Sequence, residues 1–210
     1  YTYTKHVKNI QWFHSFTFSI STMKNGVFPK IWKVTKITPV PKGDSNENIR
    51  NHGPVCLLPI PAKIMEATLH LNIIYGQVKN DISWSQHGFY KSRSIHTNLI
   101  NFTHYLATPF EKGEQVDTIY THFQKAFDKV NHRPLVAKLE KRNFSDNILR
   151  LFSSYLQDRY QYVTYRNCES SVFPCPSGVP QGSNLGPLLF LLFINDIGDR
   201  VDSSEILLLC

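Results

Sequence analysis

Ser177-Gly178-Val179-Pro180-Gln181-Gly182-Ser183-Asn184-Leu185-Gly186-Pro187 leads directly into the apolar run Leu188-Leu189-Phe190-Leu191-Leu192-Phe193-Ile194. Glycine and proline at this density make a tight loop. Ser183 can cap a helix that runs through Asn195. The run from Leu185 to Ile194 is too short to cross a bilayer, so as a helix it belongs in a core. Two readings stay open for the loop. Its glycines let backbone approach a ligand, and a helix start offers N–H groups to an anion. Alternatively, it is a tight turn before a core helix and nothing more.

A second constraint lies upstream, in Val116 to His132, VDTIYTHFQKAFDKVNH. Residues alternate from Thr118 to Phe123, which predicts a strand with Ile119, Thr121 and Phe123 on one face. Lys125 to Val130 continues it as a turn carrying Asp128, and Asn131-His132-Arg133-Pro134 can open a helix. A strand that ends by presenting carboxylates is a common way to hold a divalent metal over a phosphate.

Elsewhere the pattern interleaves strands and helices. Phe13, Phe16 and Ile20 predict a helix ending near Gly26, and Trp32 to Val40 predicts a strand. Lys42 to Asn51 reads as a loop or hairpin tip, and Pro54 to Leu58 as an extended piece. Ile64, Ala67, Leu71 and Ile74 form a helical stripe that Gly76 can end. Ser83 to Ser94 reads as a loop, and Leu99, Phe102 and Leu106 mark a helix stopped before Pro109. Leu135 and Leu139 share a helix face. Ile148, Leu149, Phe152, Tyr155 and Leu156 share another, with Ser145 or Asp146 as its cap. Gln161 to Tyr165 and Ser170 to Phe173 pair as a hairpin around Arg166-Asn167. Pro174 to Pro180 is a loop, and a last strand begins near Glu205. The expected class is α+β without an internal repeat.

The chain has 210 residues, 41% hydrophobic and 19% charged, with a formal charge of +7, so disorder is not expected and a polyanionic partner suits it. The positive charge is scattered, so any binding face must be assembled by folding. Cys56, Cys168, Cys175 and Cys210 lack metal-ligand spacing and read as free thiols. His87 and His96 have no partners at ligand spacing, so no metal site is expected there. With no signal peptide or membrane segment visible, an intracellular location, nucleus or cytoplasm, is expected.

Several of these stretches resemble the reverse transcriptases of non-LTR (LINE-type) retrotransposons. Ser177 to Ile197 is similar to the second palm motif, "GVPQGSxLGPLLFxLFINDI", almost letter for letter. Val116 to Val130 resembles the first palm motif, "Asp-Phe-x-Lys-Ala-Phe-Asp-Lys-Val". Phe28 to Lys33 with Pro39 to Asp44 is similar to the fingers, and Gln86 to Ser94 resembles "QHGFRxGRST". Chain order is the family's. The resemblance implies a right-hand polymerase fold, with fingers over residues 1–115 and a partial palm over 116–210. It also implies RNA-directed DNA synthesis with Mg²⁺, an RNA template, a DNA primer and dNTPs. On it, Lys42 supplies a charge to the triphosphate, and Phe123, Phe127, Gln181 and Gly182 line the nucleotide. Phe127 there excludes a 2′-hydroxyl, Arg93 faces the template, and Asp128 holds the second acidic position.

The departures are as informative. His122 stands at the family's first metal-binding Asp, Gly53 at a triphosphate-binding Arg, Tyr90 at an Arg and Ser92 at a Gly. Glu205 to Cys210 resembles the strand that leads into an Ala-Asp-Asp hairpin, and the sequence stops before either Asp. The expectation is a fragment of such an enzyme, inactive as it stands and without a metal site of its own. The alternatives are a non-catalytic nucleic-acid-binding remnant or a functionless relic.

Overall fold

Two β-arms meet along one parallel seam. The computed structural model describes residues 21–42, 51–201 and 204–209. Strand β1 (Val34–Pro41) pairs antiparallel with β2 (His52–Leu57) and parallel with β3 (Arg159–Tyr165). The second arm folds back through Arg166 and Asn167, both at positive φ, into β4 (Cys168–Glu169). Strand β5 (Phe173–Cys175) then pairs with the first half of β3. β1 and β2 precede residue 115 and β3 to β5 follow it, so the sheet is shared by the two stretches. The architecture is mixed α+β.

Besides the helical residues 21–25, five helices accompany the sheet among the described residues: α1 (Ile60–Leu69), α2 (Ile95–Glu111), α3 (His132–Glu140), α4 (Asp146–Leu156) and α5 (Gly186–Ile194). α1 continues as a π-helical turn, His70–Ile74, and a last α-turn, Tyr75–Val78. The core forms where α1, α3, α4 and α5 converge with Phe28 and Trp32. Phe28 is fully buried, edge-on to Trp32 at 5.7 Å and to Tyr155 at 5.0 Å. α5 is apolar all round, and Leu188 to Leu192 are buried without a break. Leu135 and Leu139 on α3 are fully buried, and α4 buries Ile148, Leu151, Phe152, Tyr155 and Leu156. Both faces were legible from spacing, although Leu151 joins the inner face and Leu149 packs against the core only partly buried.

Other expectations fail for identifiable reasons. Residues 114–123 form no strand. Alternation says which residues share a face but supplies no ladder partner, and none pairs with this stretch among the described residues. Ile119 and Tyr120 are 87% and 82% exposed as a result. The stripe on α1 is not Ile64, Ala67 and Leu71 but Ala62, Met65 and Leu69. It then resumes at Ile74 and Val78, because the π-turn inserts one residue and rephases the face. The helix also passes through Gly76, which does not take the positive φ of a helix-ending glycine. α2 contains Pro109 rather than stopping before it. In the last turn the missing N–H costs a single bond, and the Pro109 carbonyl accepts from Lys112 and Glu114.

Pro174 and Cys175 belong to β5 rather than to a loop, and α5 begins at Gly186 instead of Ser183. Glu205 starts no strand, and only Leu208 makes a bridge, to Gln86. The helix expected over Phe13 to Ile20 lies outside the described residues, although residues 21–25 are helical. The hairpin tip 43–50 also lies outside them; its base closes with Lys42 N–H donating to the Asn51 carbonyl.

Candidate functional site

The site forms where two loops pack back to back. One is the turn from Lys125 to Lys129, in which Phe127–Lys129 is a 3₁₀ turn and the Asp128 N–H donates to the Lys125 carbonyl. The other is the glycine-proline loop before α5. Gly178 lies at φ +90, and a Cβ there would stand 2.8 Å from the Asp128 carbonyl oxygen and 2.9 Å from its Cα. Only a residue without a side chain lets the loops come this close. Their contact is stitched by Gly178 N–H to the Val130 carbonyl (2.8 Å), Val179 N–H to the Phe127 carbonyl (2.9 Å) and Ser177 Oγ to the Asp128 carbonyl (3.0 Å). His132 Nε2 closes the seam by donating to the Gly178 carbonyl at 2.7 Å.

Gln181 lies at the centre of this junction. Its side-chain amide donates to Asp128 Oδ1 at 3.2 Å, and its carbonyl accepts from Cys56 N–H on β2 at 2.7 Å. Gly182 lies at φ +98, and a Cβ there would stand 3.2 Å from the Cys56 carbonyl oxygen. The loop therefore ties β2 to the Asp128 turn. Burial beside it pushes the Cys56 thiol up to about 11 and raises that of Cys175. Both are free thiols, as is the exposed Cys168.

Below the loop is a buried carboxylate. Glu66 on α1 is fully buried, accepting from Asn184 N–H at 2.8 Å through one oxygen and from Tyr155 O–H at 2.9 Å through the other. Desolvation raises its carboxyl above the ordinary range and holds the Tyr155 phenol well above its own. Arg159 extends the network, donating to the Tyr155 carbonyl and to Thr35 Oγ1. One buried residue thus fixes α1, α4 and the segment directly after Gln181-Gly182. Sequence reading missed Glu66, yet a signal existed: it is the charged residue inside the stripe Ala62, Met65, Leu69. His132 gave none.

The remaining expected residues are distributed as follows. Phe127 is half-buried, stacked on Phe190 of α5 at 4.7 Å and edge-on to Phe89 at 5.8 Å. His122 and Phe123 are exposed and line a cavity of about 470 Å³ with Lys129, Phe190, Phe193 and Arg200. Neither Phe127 nor Gln181 lines that cavity; Phe190, on which Phe127 stacks, connects the two places. Lys42 is exposed at the far end of the β1–β2 hairpin, five residues along β2 from Cys56, or about 17 Å at strand rise. Its side chain covers Gly53, whose Cβ would meet Lys42 Cε at 2.9 Å.

Arg93 organises its own loop. One guanidinium nitrogen donates to the carbonyls of Ser83 and Gln86, each at 2.6 Å. His87 is buried between Thr97 Oγ1 and Asn101, and desolvation lowers its pKa, with Arg93 adding to the effect. No three His, Cys, Asp or Glu side chains converge as a metal site among the described residues.

The family described as reverse transcriptase (RNA-dependent DNA polymerase) matches residues 40–210. The chain belongs to that family. It is 31% identical over 188 residues to the RNA-directed DNA polymerase from mobile element jockey of Drosophila melanogaster, covering 89% of this chain and 20% of the relative. A probable RNA-directed DNA polymerase from transposon BS of the same species is 32% identical over 173 residues, 81% of this chain and 19% of the relative. The Pol polyprotein from type-1 retrotransposable element R2 of Popillia japonica is 23% identical over 108 residues, 51% of this chain and 18% of its own length. This reverse transcriptase chain therefore spans about a fifth of the curated relatives it matches, and its likeness to the LINE-type enzymes extends over most of its length. No helix among the described residues is long and apolar enough to cross a membrane.

Proposed function

We propose that this chain is the fingers (1–115) and first part of the palm (116–210) of a LINE-type RNA-directed DNA polymerase, and that it grips an RNA template and DNA primer without adding nucleotides. The observation that carries the reading is the junction of the two palm motifs, with Gln181 bonded at once to Asp128 and to β2. On this reading Gln181, Gly182 and Phe127 face the incoming nucleotide, Phe123 lies beside it, and Lys42 and Arg93 meet triphosphate and template.

The loss of chemistry follows from the donor set. Nucleotidyl transfer uses two hard cations that clamp the attacking and leaving oxygens. Magnesium takes carboxylate, carbonyl and water oxygens, whereas imidazole suits softer transition metals. His122 offers nitrogen where the family offers carboxylate, and one Asp128 oxygen already accepts from Gln181. These residues do not fit a magnesium pair. Such ions supply several kcal/mol to the transition state, at tenfold in rate for each ~1.4 kcal/mol. The deficit is several orders of magnitude. The test is primer extension by a chain lengthened through the relatives' Ala-Asp-Asp hairpin and the sequence after it. The His122 form is expected to be silent and His122→Asp to extend; equal extension by both overturns the reading.

A further inference from the structure

The loop from Ser83 to Ser94 completes a column of flat groups of which the polymerase reading uses only Arg93. It begins beside the Gln181-Gly182 loop, where His70 Nδ1 donates to the Asn184 carbonyl at 2.8 Å. From His70 the column steps to Tyr75 (5.8 Å between rings) and then to Tyr90 (6.1 Å). The Arg93 guanidinium follows, 4.2 Å from the Tyr90 ring centre and 4.8 Å from that of Trp84. At Trp84 the column ends in solvent, with the residue 85% exposed.

An indole left this open is held in place, because Arg93 grips its loop as well as its ring. The guanidinium donates to the Ser83 and Gln86 carbonyls on either side of the tryptophan. The platform is therefore fixed before any partner arrives, which lowers the ordering cost of binding. The surrounding charge narrows the partner. Lys79, Lys91 and Arg93 face one carboxylate in residues 79–93, and that carboxylate, Asp81, is paired with Arg142 at 3.3 Å. Lys79 and Lys91 are exposed. A purely apolar partner would cover the indole and leave these cations without counter-charge. A flat π-surface joined to phosphate answers both needs, and unpaired nucleobases have this form.

We propose that Trp84, backed by Arg93, is a stacking platform for an unpaired base of single-stranded nucleic acid. The proposal rests on the nucleic-acid reading above and adds the site where a strand is held by its bases. RNA and DNA share the base π-face, so both are assayed. Short labelled oligo(U) and oligo(dT) are titrated with the 210-residue chain, following anisotropy of the label and tryptophan fluorescence together. All samples carry Trp12→Phe, and binding is expected to quench the fluorescence, since of the two remaining tryptophans Trp32 is buried and Trp84 is not. Trp84→Ala should weaken binding of the single strands about tenfold, the scale of one base–aromatic stack. Trp84→Phe keeps a π-face and should bind within a few-fold of the parent while losing the quenching. A DNA duplex of equal length, held by phosphate alone, should bind both variants as it binds the parent.

Unaltered single-strand binding by Trp84→Ala overturns the platform and leaves the nucleic-acid reading standing. Absence of binding by the parent chain at low salt overturns both.

Discussion

Replacing Glu66 by alanine removes both acceptors from a buried junction. Asn184 N–H and Tyr155 O–H now point at the fully buried Glu66 side chain, and truncation takes the acceptor from both. Each buried donor left unpaired costs about 1–3 kcal/mol, so Glu66→Ala is expected to cost about 2–6 kcal/mol. That is a large share of the 5–15 kcal/mol that typically separates folded from unfolded chains. With a urea slope of about 2 kcal/mol per molar, the midpoint should fall by about 1–3 M. Glu66→Gln behaves differently. Its carbonyl can accept from Asn184 N–H while its NH₂ donates to the Tyr155 hydroxyl oxygen, and no charge is buried. Its midpoint should stay within about 0.5 M of the parent at pH 7.

The pH dependence separates the two effects. Burial raises the Glu66 carboxyl above its ordinary 4.5, so the folded chain holds this proton more tightly than the unfolded chain. Its stabilising contribution is complete below pH 4.5 and is lost as pH rises through the raised value. The parent should therefore lose stability across that window relative to Glu66→Gln. A Glu66→Ala midpoint equal to the parent's, or a Gln variant as weak as the Ala variant, would refute the reasoning.

Two further outcomes follow from the same packing. Gly178→Ala forces a side chain into φ +90 and against the backbone of Phe127 and Asp128, so its urea midpoint should fall by the equivalent of about 2–5 kcal/mol; an unchanged midpoint would mean the two loops are not in contact. At pH 8, iodoacetamide should label the exposed Cys168 and spare native Cys56, whose thiol is pushed up to about 11; peptide mapping that finds Cys56 labelled at the rate of Cys168 contradicts the burial of β2 under the Gln181 loop.

The elements that were legible in the sequence are those whose own composition supplies the reason to form. β1 is β-branched and alternating, α4 carries one apolar face, and the Arg166-Asn167 turn gives the chain the two positive φ values it needs. Elements that depend on distant partners were not. Thr118 to Phe123 has a strand's alternation and, among the described residues, no strand beside it, while the face of α1 is rephased by a π-turn that no residue type announces. The site divides in the same way. Gln181, Gly182, Phe127 and Asp128 came from motifs, and the structure brings them together. Glu66, Tyr155 and His132, which hold that junction from below and beside it, are single polar residues whose partners are 46 to 118 positions away. Periodicity reports a residue's neighbours along its own helix and says nothing about such pairs.

The central claim is that a nucleotide-shaped junction persists without an anionic anchor at position 122. Binding and extension measured on one sample test it most directly, using the 210-residue chain, a DNA primer annealed to an RNA template, dNTPs and Mg²⁺. Anisotropy should report binding that weakens steeply with salt, as expected when phosphate contacts release counterions. The primer should remain at its starting length. Magnesium-dependent lengthening of the primer by the His122 chain would contradict the account.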